Sequence, residues 1–434
     1  MRVLGITETC DLGSLYLRLI GECHEVKVSV SEPLAQGTMA GLVPRTDSWE
    51  QELEWVRADP DGIIIFEAVG FGELQDRLRS QGFRVIGGSA FGDRLENDRE
   101  YALRLLGQIG LKSSAVRSFE KATDALADLG ERPRRCVFKR CDSAGETLVG
   151  GLDDGRDIAA MLRVKPPADG TAFILMDHVA GVETGVGAFF NGEIFLAPAC
   201  LDWEHKRFFA GDLGEQTGEM GTVATFTGSE RLFETTLKPL EPLFRGAGHV
   251  GWVNLNTIIN DDGIWPLEFT CRFGYPGFAV LEPLQAIGWA DLFRMLVRRD
   301  ADTFPVRAGF STCVVLTTPP MPLSRKEVDA PVGLPVVIGD VDPKHLHLGE
   351  VGGSDAGLIT AGLYGWTAVV TGTGETVAEA TAAAYANAAK VYTPNIRYRL
   401  DIGAALISGE LDMLSKWGWL NSTPSDRIAS QIVR

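Results

Sequence analysis

Positive charge is in short supply in this 434-residue chain: 41 Lys and Arg stand against 58 Asp and Glu, a net charge of −17. A surface of that sign repels a phosphodiester backbone. It excludes a broad nucleic-acid interface but leaves room for a local basic pocket around one phosphorylated small molecule. Cysteine is sparse as well. The seven (Cys10, Cys23, Cys136, Cys141, Cys200, Cys271, Cys313) are odd in number and scattered, without CxxC pairs. That pattern speaks against a disulfide framework or a zinc finger and for reduced thiols in a cytosol. No apolar run approaches the ~18 residues that span a bilayer. The chain opens on strand-like text, Arg2 to Thr7, instead of a charged-then-apolar leader. Internal repeats and low-complexity tracts are also lacking. These absences lead us to expect a cytoplasmic protein with neither a membrane nor a nucleic acid as partner.

What is present is a mixed composition, 45% apolar and 23% charged, in a chain long enough for two or three domains that each bury a core. Val3–Thr7 reads as a strand, Ser14–Ile20 has helical spacing, and Glu25–Val30 alternates as a strand. Ile63–Phe66 and Arg84–Gly87 add two more short apolar strands, so the first ~92 residues suggest a small parallel α/β sheet of Rossmann-like type. Asn97–Ile109 reads as a helix capped at Asn97, with Tyr101, Leu105 and Ile109 on one face and Gly110 at its end. Further strands are expected at Cys136–Lys139, Phe173–Met176, Val253–Ile259, His345–Gly349 and Gly365–Val370. Pro319-Pro320-Met321-Pro322 looks like a joint to a C-terminal lobe. Beyond it, Thr376 and Glu379 have the spacing of a capping box that opens an alanine-rich helix.

Two strings carry chemistry. Glu204–Gly221, EHKRFFAGDLGEQTGEMG, packs six charged residues and four glycines into a segment that cannot be an ordinary helix. It reads as a loop that holds a polar ligand, since glycine lets backbone amides approach anionic oxygens closely. Leu267–Gly274, LEFTCRFG, ends a strand-like run with a carboxylate followed by a guanidinium. Upstream, Lys139 at a strand end precedes a glycine-containing turn, Asp142 to Gly145, suited to closing over phosphates.

In this order the strings resemble the phosphoribosylamine-glycine ligase family of ATP-grasp carboxylate-amine ligases. Its matching texts run roughly DHKRxxDGDxGPNTGGMG and EFNCRFGDPE, and Tyr398–Gly403 is similar to its YRRDIG tail. The resemblance runs from about Leu95 to Gly403. It implies an N-terminal preATP-grasp domain (1–95), an ATP-grasp domain (96–305) and a C-terminal α+β lobe (306–434). ATP and Mg²⁺ (or Mn²⁺) are implied as cofactors, with a small carboxylate such as glycine and an amine as substrates.

Residue by residue, the resemblance implies Glu268 as metal ligand, with Thr270 standing where the family has Asn and Asn256 where related enzymes carry an Asp. Arg99 and Lys139 are implied for the phosphates. The hinge Asp177–Val179 is implied for adenine, and Glu183 for the ribose hydroxyls, a role suited to an acceptor-only carboxylate. Lys206, Arg207 and Asp212, within the HKR and GDxG matches, border phosphoryl transfer, and Arg272 could clamp a carboxylate or γ-phosphate.

The resemblance breaks in places. The family's AAGKGV loop is SAGETL here, with Glu146 for its lysine. Glu215-Gln216 replaces Pro-Asn, and Glu219 replaces the second Gly of TGGMG. At the N-terminus the family's phosphate-binding GGREHA turn is GITETCDLGS, which places Glu8 and Asp11 where a phosphate would want amides and cations. The expectation is an ATP-grasp ligase with a changed, unphosphorylated amine. The alternatives are a true phosphoribosylamine-glycine ligase and a nucleotide-binding relative without catalysis.

Overall fold

The computed structural model describes residues 1–140 and 147–420, so the expected phosphate turn at 142–145 and Glu146 lie outside the described residues. By contacts the chain divides into two compact units: residues 1–105, 183–257 and 267–434 form one, and 106–182 with 258–266 the other.

The larger unit opens with four strands in the order Glu25–Val30, Arg2–Thr7, Ile63–Phe66, Val85–Ile86, all parallel where they pair. Apolar text forces this arrangement. Every residue of Ile63–Phe66 is fully buried, as a strand covered on both faces must be, and each such side chain contributes roughly 1.5–3 kcal/mol. Helix Gly13–Gly21 follows the first strand, completing the expected βαβ start.

An eight-stranded sheet runs in the order Gly263–Thr270, Gly251–Asn260, Val182–Phe190, Cys200–Glu204, Gly221–Thr225, Phe310–Thr317, Trp366–Gly374, Leu346–Leu348. Strands from both sides of the Pro319–Pro322 stretch share this sheet, so that stretch links neighbours within one layer. The helix Val377–Ala388 packs on it and begins with the expected capping box, Thr376 and Glu379 each accepting from the other's backbone N–H.

Two local expectations are corrected. Asn97 does not cap the helix that follows. It ends the helix Ala90–Asn97, and the next one, Arg99–Gln108, is capped by Asp98, whose carboxylate accepts from the Tyr101 N–H at 2.9 Å. Glu204–Gly221 is not a plain loop either. After the end of strand Cys200–Glu204 it forms a two-stranded ribbon, Arg207–Phe209 against Leu213–Gln216. The ribbon turns at Gly211 and Asp212, both in the left-handed region at φ +71° and +54°.

The smaller unit carries a four-stranded antiparallel sheet in the order Val116–Phe119, Phe173–Asp177, Cys136–Arg140, Thr147–Val149. It has its own core around Phe138, Phe173, Leu175, Ile158 and Leu162. Among the described residues no helix is long and apolar enough to cross a membrane, and the six described cysteines are free.

Candidate active site

The site face of the large sheet follows from the two-residue period of strands. Glu268 and Thr270 share a face of their strand while Phe269 turns to the core. Trp252, Asn254 and Asn256 share a face of the next strand, Glu183, Gly185 and Gly187 of the third, and Asp202 and Glu204 of the fourth. A cavity of about 310 Å³ opens over Asp202, Glu204, Trp252, Asn254, Asn256, Glu268 and Thr270, and Asp11, Glu67, Lys206, Glu219, Arg272 and Trp366 also line it, whereas Glu183 does not. All of them belong to the larger unit.

Lys206 organises the outer part of the cavity. Its ammonium bridges the Glu268 carboxylate and that of Glu204, the latter at 3.2 Å. Desolvation would lower the Lys206 pKa, but Glu204, Glu268 and Glu183 outweigh it and raise it above its ordinary value. Asn256 donates to Glu204 at 2.9 Å and accepts from Asn254 at 3.0 Å. Although the Glu183 side chain reaches solvent, the atoms packed around it desolvate its carboxyl. With Glu204, Glu268 and Asp212 nearby, that pushes its pKa up to about 7. Arg99 feels the Glu268 charge, though burial lowers its own pKa.

These donors fit the implied metal. Glu268, Glu204, the Asn256 amide oxygen and the Thr270 hydroxyl are all hard oxygen ligands. Among the described residues no three His, Cys, Asp or Glu side chains are grouped to hold a metal by themselves. A Mg²⁺ ion here would therefore be completed by phosphate oxygens and water, its usual arrangement.

Of the remaining residues expected from sequence, only Arg272 reaches the cavity. Arg272 lines the cavity but is ion-paired to Glu96 at 3.5 Å. Arg207 and Asp212 do not line it. Arg207 donates to the Gly214 carbonyl across the ribbon at 2.9 Å, and Asp212 is paired to Arg399 at 2.8 Å. Arg399 also donates to the Arg207 carbonyl, and Asp401 accepts from the Gly211 N–H. The tail text matched to YRRDIG thus clamps the ribbon. Lys139, Asp177 and Val179 belong to the smaller unit. Lys139 pairs with Ile174 in its sheet. The Asp177 carboxylate binds Arg134 at 2.5 Å, and the N–H groups of Asp177 and His178 donate to Ala115 and Arg135.

Sequence reading missed Glu67, Asp202 and Asn254, and it noted Glu219 only as a substitution. Glu67 follows the strand Ile63–Phe66 and accepts from Thr7 Oγ1, the Leu12 N–H and the Tyr16 hydroxyl, at 2.8, 3.1 and 2.7 Å. Burial first, then Asp11, raises its pKa to about 7. Asp11 is also raised, by desolvation. Asp202 and Glu219, 7% and 5% exposed, are pushed well above the usual carboxylate range by burial and by the Glu204 charge. An acidic residue one step from a strand end was the only available signal for Glu67.

Comparisons with known proteins agree with this geometry. Residues 97–278 match the family model described as phosphoribosylglycinamide synthetase, ATP-grasp (A) domain. The phosphoribosylamine-glycine ligase of Listeria monocytogenes is 27% identical over 341 residues, covering 76% of this chain and 80% of that protein. The Neisseria meningitidis ligase of the same name is 25% identical over 368 residues, with 80% and 85% covered. Among solved structures, phosphoribosylamine-glycine ligase from Thermotoga maritima superposes with a TM-score of 0.69 at 23% identity, over 93% of this chain and all of that one. N5-carboxyaminoimidazole synthetase from Staphylococcus aureus gives 0.56 at 13% identity, over 89% and 96%. The sheet over which the carboxylates, Lys206 and Arg272 gather is thus the α/β ATP-grasp architecture, and the chain is an ATP-grasp ligase that resembles phosphoribosylamine-glycine ligase.

Proposed function

We propose that the chain joins a small carboxylate to an amine at the expense of ATP, through an acyl phosphate, in the cytoplasm. The observation that supports this most is the Glu204–Lys206–Glu268 cluster at the cavity, with Arg272 and Arg99 beside it. The substrate carboxylate oxygen takes the γ-phosphoryl group and ADP leaves. The amine nitrogen then attacks the acyl carbon, phosphate departs with that oxygen, and the nitrogen gives up a proton. Both steps gather negative charge, so positioning and cationic groups do most of the work. A divalent ion, when bound, neutralises phosphate charge, and Glu268 would hold it with Asn256 and Thr270. Lys206 is assigned to the transferring phosphoryl group, Arg272 to the substrate carboxylate and Glu183 to the ribose. Lys139 and the Asp177–Val179 hinge are assigned to the nucleotide. Arg207 and Asp212 hold the ribbon in place. We retain the segments 1–95, 96–305 and 306–434 as its functional divisions.

The names of the relatives favour glycine and phosphoribosylamine as the pair, so glycinamide ribonucleotide formation is the first reaction to test. A second reading, a changed amine, is favoured by Asp11 and Glu67 in the cavity wall. Like charges ~4 Å apart cost about 1 kcal/mol in water and several in a partly buried cleft, which disfavours a phosphorylated amine at that end. A coupled ADP-release assay with glycine, Mg²⁺ and phosphoribosylamine, then with unphosphorylated amines, decides between the two. Turnover with phosphoribosylamine supports the first, turnover only with unphosphorylated amines the second, and no turnover with any pair defeats both.

A further inference from the structure

Two carboxylates of the cavity have no part in the chemistry above. Asp202 and Glu219 line it, are more than nine-tenths buried, and have oxygens without a hydrogen-bond partner, Asp202 Oδ1 and Glu219 Oε1. Asn254, 5% exposed and on the same cavity wall, leaves its Oδ1 unpartnered as well. The nearest cation, Lys206, is already shared by Glu204 and Glu268. A buried acceptor left unmatched costs about 1–3 kcal/mol, more if charged, so three on one wall describe a place shaped for donors.

The wall is built for these side chains. Asp202 stands opposite Gly185 in the sheet register, and a Cβ at Gly185 would lie 2.1 Å from Asp202 Oδ1. A Cβ at Gly187 would lie 2.2 Å from the Trp252 ring and 2.8 Å from Asn254 Oδ1. Glycine at both points therefore opens the room these side chains occupy.

We infer that Asp202, Glu219 and Asn254, beside the Trp252 ring, bind a protonated amino group of a substrate. The inference deepens the ligase reading and rests on it only for which substrate carries that group. An alkylammonium offers three N–H donors and no acceptor, which matches three unpartnered oxygens, and an aromatic ring nearby favours an organic cation. The ammonium could belong to the amino acid whose carboxylate is activated or to a second amino group on the acceptor.

Calorimetric titration of the full chain without nucleotide tests this, using glycine against acetate and 1,4-diaminobutane against 1,4-butanediol. At least one ammonium-bearing probe should bind tenfold or more tightly than its uncharged-end counterpart, and the pair that discriminates names the source. Asp202→Asn and Glu219→Gln should each reduce that preference by tenfold or more, while both variants keep the wild-type circular dichroism spectrum. Equal binding within both pairs, or no binding of any probe, overturns the site without recourse to the variants. Ammonium preference without ADP release from any substrate pair would instead sink the ligase reading and leave the site standing. ADP release without ammonium preference would do the reverse.

Discussion

The two carboxylate groups on the site face differ in one respect, their compensation. Glu204 and Glu268 share the Lys206 ammonium, and Glu204 also accepts from Asn256. Asp202 and Glu219, one strand step or one loop away, have unpartnered oxygens and raised pKa values. The first group is an ion cluster whose charges hold one another in place; the second keeps unspent capacity for positive charge. The difference teaches that removing the cation of the first group and removing a carboxylate charge from the second should have opposite effects on stability.

Several substitutions would break or sharpen that contrast. Glu268→Gln should lower Mg²⁺-dependent ADP formation by roughly a thousandfold, since it removes the carboxylate charge that would offset the cation; steady-state kinetics on a variant with native circular dichroism measures it. The next effect concerns Glu67, whose folded-state pKa of about 7 exceeds the ordinary 4.5. The native state keeps that proton where the unfolded chain has lost it, so stability should fall as pH rises from about 4.5 to 7, by up to about 3 kcal/mol. Glu67→Gln should flatten this slope in urea unfolding series taken across that range. Lys206→Met should destabilise the fold by roughly 1–3 kcal/mol, because it leaves Glu204 and Glu268 facing each other uncompensated. Glu219→Gln should go the other way, stabilising by about 1 kcal/mol and raising Tm by a few degrees. If Lys206→Met and Glu219→Gln shifted Tm in the same direction, the contrast would fail.

Where the sequence carried a local signal, the fold was legible. The strands Arg2–Thr7, Ile63–Phe66 and Phe173–Asp177 follow from apolar runs, and the capping box at Thr376 and Glu379 follows from four residues. The ribbon at Arg207–Gln216 was misread as a loop because its order comes from distant residues. Arg399 and Asp401, nearly 190 positions later, hold its turn. At the site, the resemblance led to Glu268, Lys206, Asn256, Thr270 and Arg272, and all of them line the cavity. Asp202, Asn254 and Glu67 stayed hidden, since nothing in their neighbours shows which face of a strand is buried. Only the pairing of Asp202 with Gly185 across two strands reveals the space made for that carboxylate.

The most direct test of the ligase account follows oxygen. Glycine labelled with ¹⁸O in its carboxyl group is incubated with ATP, Mg²⁺ and either phosphoribosylamine or an unphosphorylated amine, and the ADP, amide and phosphate are quantified by mass spectrometry. The account predicts one ADP per amide and one labelled oxygen in each phosphate released. ADP formed without amide, or amide formed with unlabelled phosphate, would contradict it.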